Sequence, residues 1–149
     1  MAEKQELFSP EQLTPTKWIT AAGKAKFATH FMRFVRKGCP KSLFYEWFYQ
    51  RLSVCFGHVA HYNKGGFYAE FFETPADRAR FLSQTLDYQP VGDPSWAYSD
   101  VERAIQDALR AERVYERYVH EDAQAVEAGE RAELARLVAK YGSQEPHAR

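Results

Sequence analysis

Cysteine is scarce in this sequence, at two of 149 residues, and long uninterrupted hydrophobic runs are missing. Two thiols are too few for the disulfide framework of a small secreted protein. The apolar runs stop well short of the roughly 20 residues that a bilayer-spanning helix needs. Residues 3–6 are polar or charged and no apolar segment follows them, so we expect no secretory signal. The sequence therefore predicts a soluble, cytoplasmic protein that does not insert into a membrane.

Signatures of catalysis are also missing. The chain has no Walker loop, no G-x-G-x-x-G fingerprint and no G-x-S-x-G nucleophile elbow. It has no RNP sequence, zinc-finger spacing or leucine-zipper basic region either, so no named nucleic-acid fold is indicated. No residue is assigned a catalytic role and no cofactor is expected. The leading hypothesis is a small, non-enzymatic binding or adaptor protein.

Aromatic side chains are abundant by contrast, with eleven Phe, nine Tyr and three Trp. They supply enough apolar surface for a core and exclude a wholly disordered chain. Together with helical spacing of the apolar residues, they predict one compact all-α domain of four to five helices over residues 17–141. We expect an N-terminal tail over 1–16, a linker rich in proline and glycine over 87–98, and a disordered C-terminal tail over 142–149.

Two helices are predicted in the first half of the chain. Phe27, Phe31 and Phe34 recur at helical spacing, and Gly38 follows them as a helix terminator, which predicts helix one over residues 16–37. Apolar residues at steps of three and four then predict helix two over 41–62, at the centre of the domain. An alternative interpretation makes 54–62 and 67–73 the strands of a β-hairpin that turns at 63–66.

Residues that are typical of helix N-termini predict where the remaining helices begin. Thr74 and Pro75 have the form of an N-cap followed by a first-turn proline, which predicts helix three over 75–86. The run Ser-Asp-Val-Glu at 99–102 has the form of a capping box and begins a helical pattern. We predict one long helix over 100–141, or a helical hairpin bent near 121–129. A thin apolar seam over 101–126 also suggests a structural protein that forms a homodimer.

Charge is unevenly distributed although the net charge is zero. Residues 1–65 contain ten basic and four acidic residues, a net charge of +6, and residues 66–149 carry the balancing −6. The two halves either neutralise each other by packing together or leave a basic face exposed to an anionic partner.

A row of basic residues follows one face of helix one. The row consists of Lys26, His30, Arg33 and Lys37. These residues recur at steps of four, three and four and fall within a wedge of about 60°. Packing the phenylalanines inward turns this row outward, where it predicts a binding surface for a nucleic acid or an acidic protein. The alternative interpretation is the solvated side of an amphipathic helix. The predicted partner-binding residues are Lys26, His30, Arg33, Arg36, Lys37 and Lys41.

A possible metal site is the second candidate. Cys55, His58 and His61 are spaced by three residues, so neighbouring members would lie close together on a helix. Cysteine and histidine are ligands that zinc prefers, although further ligands would have to come from elsewhere in the chain. The spacing indicates a zinc-like divalent metal, as a metal-binding domain or metal-dependent enzyme. The alternative interpretation is a buried cysteine beside histidines in an aromatic core.

Overall fold

The computed structural model describes residues 8–58 and 63–142. The predicted all-α fold is confirmed, because these residues form six α-helices and two short 3₁₀ helices and contain no β-strand. The ends of both predicted tails, 1–7 and 143–149, lie outside the described residues. The 3₁₀ helices cover Pro10–Gln12 and Lys41–Leu43. The α-helices are α1 (Ala21–Arg36), α2 (Glu46–Leu52), α3 (Lys64–Phe71), α4 (Pro75–Asp87), α5 (Ser99–Glu112) and α6 (Val114–Tyr141).

Helix α1 lies at the centre of the fold, and it confirms the prediction for helix one. The Thr20 hydroxyl caps it by accepting a hydrogen bond from the Gly23 N–H at 2.9 Å, and Gly38 follows its end with a left-handed φ of 90°. Nine of its sixteen residues are buried. The central position that the sequence assigns to helix two therefore belongs to α1.

The predicted long helix over 41–62 is wrong. Within its described part, this stretch consists of a 3₁₀ turn, the seven-residue helix α2 and turns over 53–58. Phe56 has a φ of 56° and Gly57 a φ of 73°, and such left-handed conformations interrupt a right-handed helix. Residues 59–62 lie outside the described part. Four apolar residues of the repeat are nevertheless buried, two from α2 and two from the turns on either side of it: Phe44, Phe48, Leu52 and Cys55.

The alternative β-hairpin is also wrong, because one of its predicted strands is the helix α3. The Asn63 side chain caps this helix by accepting a hydrogen bond from the Gly66 N–H at 2.7 Å. Gly65 and Gly66 thus lie in the first helical turn, and do not form a hairpin turn. The cap supplies the hydrogen bond that the first turn of a helix lacks.

Helix α4 begins as the sequence predicts. The Thr74 hydroxyl accepts a hydrogen bond from the Asp77 N–H at 3.1 Å, and Pro75 occupies the first helical position. The prediction of a helix over 75–86 is confirmed. An irregular connection over 88–98 then leads to α5.

The predicted capping box at 99–102 is wrong, because both of its side chains bind other segments. The Ser99 hydroxyl donates to the Gly92 carbonyl at 2.7 Å. The Glu102 carboxylate accepts from the Phe56 N–H at 2.8 Å, and Glu102 is buried. The two side chains therefore join the start of α5 to the 88–98 connection and to the turns after α2.

The predicted long C-terminal helix is confirmed, but it covers 114–141 rather than 100–141. The helix breaks at Arg113, which has a left-handed φ of 54°, a conformation that costs a non-glycine residue about 1–2 kcal/mol. Helix α6 then continues without interruption through Gly129, so the predicted helical hairpin does not form. The first turns of α6 pack against α4 and bury Val114 and Tyr118, whereas residues 123–142 are all exposed.

The homodimer seam predicted over 101–126 is covered by the chain itself as far as residue 118. Val101, Ile105 and Leu109 from α5 are buried in the same core as Tyr118 from α6. A second copy cannot reach these side chains in the folded protein. Across the described part of the chain, no helix is both long and apolar enough to cross a lipid bilayer.

Candidate functional site

Three cations lie on the exposed face of α1. Lys26, Arg33 and Lys37 are all solvent-exposed. Among residues 8–58 and 63–142, no acidic side chain forms an ion pair with any of them. Their positive charge is therefore uncompensated at close range.

His30, the fourth member of the predicted row, is not exposed. It lies at the edge of the wedge nearest Phe34, and only 3% of its surface is accessible. Its Nε2 lies 2.7 Å from the Leu43 carbonyl, so Nε2 carries the proton and donates it. Burial lowers the pKa of His30, and the nearby charges of Arg33 and Lys26 lower it further. We infer that His30 is a neutral residue beneath the row rather than a cation within it.

The other two predicted partner-binding residues, Arg36 and Lys41, lie outside the row and differ from each other in their surroundings. The Arg36 guanidinium donates to both Glu112 oxygens, at 2.8 and 2.7 Å. This pair raises the pKa of Arg36 and holds α1 to α5. Lys41 is exposed, with its ammonium 5.6 Å from the centroid of the Tyr68 ring. Glu112 therefore balances the charge of Arg36, whereas Lys41 is a further exposed cation beside the row.

An open cleft of about 550 Å³ adjoins the row. Among the residues that the structure describes, its lining combines two of the cations with aromatic side chains and includes no acidic residue. A second cavity of about 380 Å³ shares Thr29 and Arg33 with the first and continues towards Lys37. The residues that line the larger cleft are Phe8, Pro10, Ala22, Ala25, Lys26, Thr29, His30, Arg33, Tyr45 and Trp47.

Two exposed aromatic residues of this cleft were not recognised from the sequence. Tyr45 is 44% exposed and Trp47 is 36% exposed, and their ring centroids lie 6.5 Å apart at an interplanar angle of 27°. The Lys26 ammonium lies 4.9 Å from the centroid of the Trp47 ring. Tyr45 is the N-cap of α2 and Trp47 lies in its first turn, so the two rings lie close together at the start of that helix.

The acidic half of the chain does not cover the row. Among the described residues, its ion pairs with the cations of α1 are limited to the Arg36–Glu112 pair and to Lys24, which pairs with Asp100 at 2.8 Å. Lys24 is fully buried on the opposite side of α1. No described residue of the acidic half lines either of these two cavities.

The helical arrangement proposed for the metal candidates is absent. Cys55 and His58 lie in the turns after α2, where the His58 N–H donates to the Cys55 carbonyl at 3.1 Å, and His61 lies outside the described residues. Burial raises the pKa of the Cys55 thiol well above its usual value, and a neutral thiol is a poor metal ligand. Among the described residues, no group of three His, Cys, Asp or Glu side chains is placed to hold a metal ion.

His58 instead packs as an aromatic residue of the core. Its ring stacks on Phe81 with centroids 5.1 Å apart and an interplanar angle of 9°. Within the described part of the chain, its Nε2 has no hydrogen-bond partner. Burial lowers the pKa of His58 to about 4, so the imidazole is neutral near pH 7.

We expect this histidine to make the fold sensitive to acid. The unfolded imidazole binds a proton below a pH of about 6.5, whereas the folded one binds it only below a pKa of about 4. Between these values the unfolded state holds more protons, so stability falls as the pH is lowered. In His58→Phe, which keeps an aromatic ring, up to about 3 kcal/mol of this loss should disappear. Urea unfolding of both proteins, near neutral pH and near pH 4, checks this; an identical acid loss in both would contradict it.

Comparison of the chain with protein-family models, with curated proteins and with solved structures finds no match.

Proposed function

We propose that this protein binds single-stranded nucleic acid through the α1 face, defined as Lys26, Arg33 and Lys37 together with Tyr45 and Trp47. The observation that carries the proposal is that two of the exposed cations, Lys26 and Arg33, share one open cleft with the exposed rings of Tyr45 and Trp47. Proteins that hold single strands combine these two features, because cations follow the phosphates and aromatic rings stack on the bases.

The spacing of the cations suits a strand laid along the helix. From Lys26 to Lys37 the helix rises by about 16 Å, so the row is long enough to contact successive phosphates. Each contact releases counterions from the nucleic acid, which favours binding at low salt. The neutral His30 beneath the row adds no charge to the cleft, and it supports the rings of Tyr45 and Trp47 at centroid distances of 5.2 and 5.1 Å.

The aromatic rings favour a single strand over the other anionic partners. In a duplex the faces of the bases are stacked on one another and cannot stack on Tyr45 or Trp47. An acidic protein surface would pair with the cations but would leave the aromatic wall of the cleft without a specific role. Base stacking on an aromatic side chain contributes about 1–3 kcal/mol per base.

Charge reversal on the α1 face tests the proposal. We expect Arg33→Glu/Lys37→Glu to weaken binding of a fluorescent single-stranded oligothymidylate by at least about tenfold, because two attractive contacts with phosphates become repulsive. Fluorescence anisotropy at low salt provides the measurement. The matched control, Lys17→Glu/Lys64→Glu, changes the net charge equally at exposed lysines outside the face and should leave the affinity nearly unchanged. Equal losses in the two variants would contradict a defined face.

A second variant separates stacking from charge. Trp47→Leu should weaken binding of the oligothymidylate by about tenfold, in line with the loss of one stacked base, and should leave the weak attraction of polyglutamate unchanged. Circular dichroism establishes that the variant is folded. Polyglutamate or duplex DNA binding as tightly as the single strand, or no effect of Trp47→Leu, would overturn the proposal in favour of an acidic protein partner or a duplex.

A further inference from the structure

The last part of α6 carries a row of apolar side chains that no other described segment of the chain covers. We refer to residues 119–142 as the free segment. Six of the twelve large hydrophobic residues that are exposed in the described chain lie on it. On a helix they fall within about 120° of one another, and we call this row the apolar stripe. Its members are Val119, Val126, Leu134, Leu137, Val138 and Tyr141.

The charge of the free segment reverses along its length. Residues 119–130 contain four acidic residues and no lysine or arginine. Residues 131–142 contain three basic residues and one acidic residue. Ion pairs such as Arg131–Glu127, at 2.7 Å, are exposed and local, so they stabilise the helix only slightly. The first half thus carries a net charge of −4 and the second half a net charge of +2.

We propose that the free segment pairs with the same segment of a second copy, in antiparallel orientation. In that orientation each acidic half lies beside the basic half of the other copy, and the two apolar stripes face each other. A parallel pair would place four acidic residues beside four others. The free segment is about 36 Å long, so antiparallel pairing also leaves the two folded domains at opposite ends of the helix pair. This inference is independent of the proposed function.

Two acidic residues of the free segment, Glu127 and Glu130, fall within the arc of the apolar stripe and limit the strength of the pair. Glu130 projects into the middle of the apolar stripe, and a charge placed between apolar surfaces loses hydration without gaining a partner. Antiparallel pairing brings the two copies of Glu130 close together, near the centre of the interface. We therefore expect a dimer in the micromolar range that Glu130→Leu tightens by at least about tenfold.

Sedimentation equilibrium of the full chain tests the pairing. The wild-type protein should shift from monomer to dimer as its concentration rises, and Val126→Glu/Leu134→Glu should weaken this dimer by at least tenfold. The matched control is Ala125→Glu/Ala132→Glu, on the opposite side of the same helix and equally exposed; it should dimerise as the wild type does. A wild-type monomer at every concentration, or equal weakening in both variants, would overturn the proposal.

Cysteine cross-linking tests the orientation. The native Cys39 and Cys55 are buried, so introduced thiols report on the free segment. Glu130→Cys lies near the middle of the segment and should form a disulfide-linked dimer on mild oxidation. Ala123→Cys should not, because antiparallel pairing places the two copies of position 123 roughly 20 Å apart along the helices. Cross-linking of Ala123→Cys as efficient as that of Glu130→Cys would show a parallel pair and overturn the antiparallel arrangement.

Discussion

Asp100→Ala is expected to destabilise the fold by about 3–5 kcal/mol, because it leaves a buried ammonium group without its counter-charge. The Lys24 side chain is fully buried, and its Nζ donates to the Asp100 carboxylate at 2.8 Å and to the Pro94 and Ala97 carbonyls at 3.0 Å each. All three protons are thus used. The same carboxylate accepts from the Thr14 N–H at 2.8 Å, so its loss also releases the segment before α1.

The double variant Lys24→Met/Asp100→Ala separates the buried charge from the lost packing. Removing both charges is less damaging than removing one, because methionine fills the space without needing a counter-ion. We therefore expect the double variant to be more stable than Asp100→Ala, although it carries one more substitution. Urea denaturation of both proteins provides the comparison. A loss below about 1 kcal/mol in Asp100→Ala would show that the ammonium group finds water when its partner is removed.

Phe72→Ala is expected to have an effect of similar size, about 3–5 kcal/mol, because it opens a cavity where several elements meet. Phe72 is fully buried at the end of α3. Its ring centroid lies 5.0 Å from that of Phe34 in α1, 5.4 Å from that of Phe44 and 4.7 Å from that of Phe81 in α4. One side chain therefore joins α1, α3, α4 and the 3₁₀ turn before α2.

Phe72→Leu provides the graded control. Leucine restores most of the volume but none of the edge-to-face ring contacts, so its cost should be nearer to about 1.5 kcal/mol. Thermal and urea unfolding of the two variants measure the difference. Equal stability of Phe72→Ala and the wild type would mean that the surrounding rings collapse into the space, and that the aromatic cluster does not depend on this residue.

The parts of the fold that the sequence predicted are those with local signals. Helix α1 was visible from its regular phenylalanines and the glycine after it, and α4 from the Thr74 hydroxyl before Pro75. In each helix, the hydroxyl of a threonine just before the first turn accepts a hydrogen bond from a backbone N–H of that turn. The burial of Phe44, Phe48 and Leu52 also followed from their spacing, although the backbone between them does not form one helix.

The errors arose where distant contacts decide the local structure. Ser99 and Glu102 have the pattern of a capping box but bind Gly92 and Phe56. The break at Arg113 occurs without glycine or proline, so no residue type marks it. Helix α3 was missed because two glycines indicate a turn, and only the Asn63 side chain before them indicates a helix start.

The candidate surface was predicted in part. The periodicity of α1 placed Lys26, Arg33 and Lys37 on one face, and all three are exposed. It could not show that His30 lies beneath that face, since this depends on rings from another element. It also could not show that Lys24 is buried, because its partner is 76 residues away in the sequence.

The salt dependence of binding tests the central claim most directly, namely that the three unpaired cations of α1 hold the phosphates of a single strand. The affinity of the wild-type protein for oligothymidylate, measured by anisotropy over a series of salt concentrations, should fall with a log–log slope of about −2, since each of three phosphate contacts contributes about −0.7. In Arg33→Glu/Lys37→Glu the slope should be much shallower. A wild-type affinity that does not change with salt, or no measurable binding at low salt, would contradict the claim.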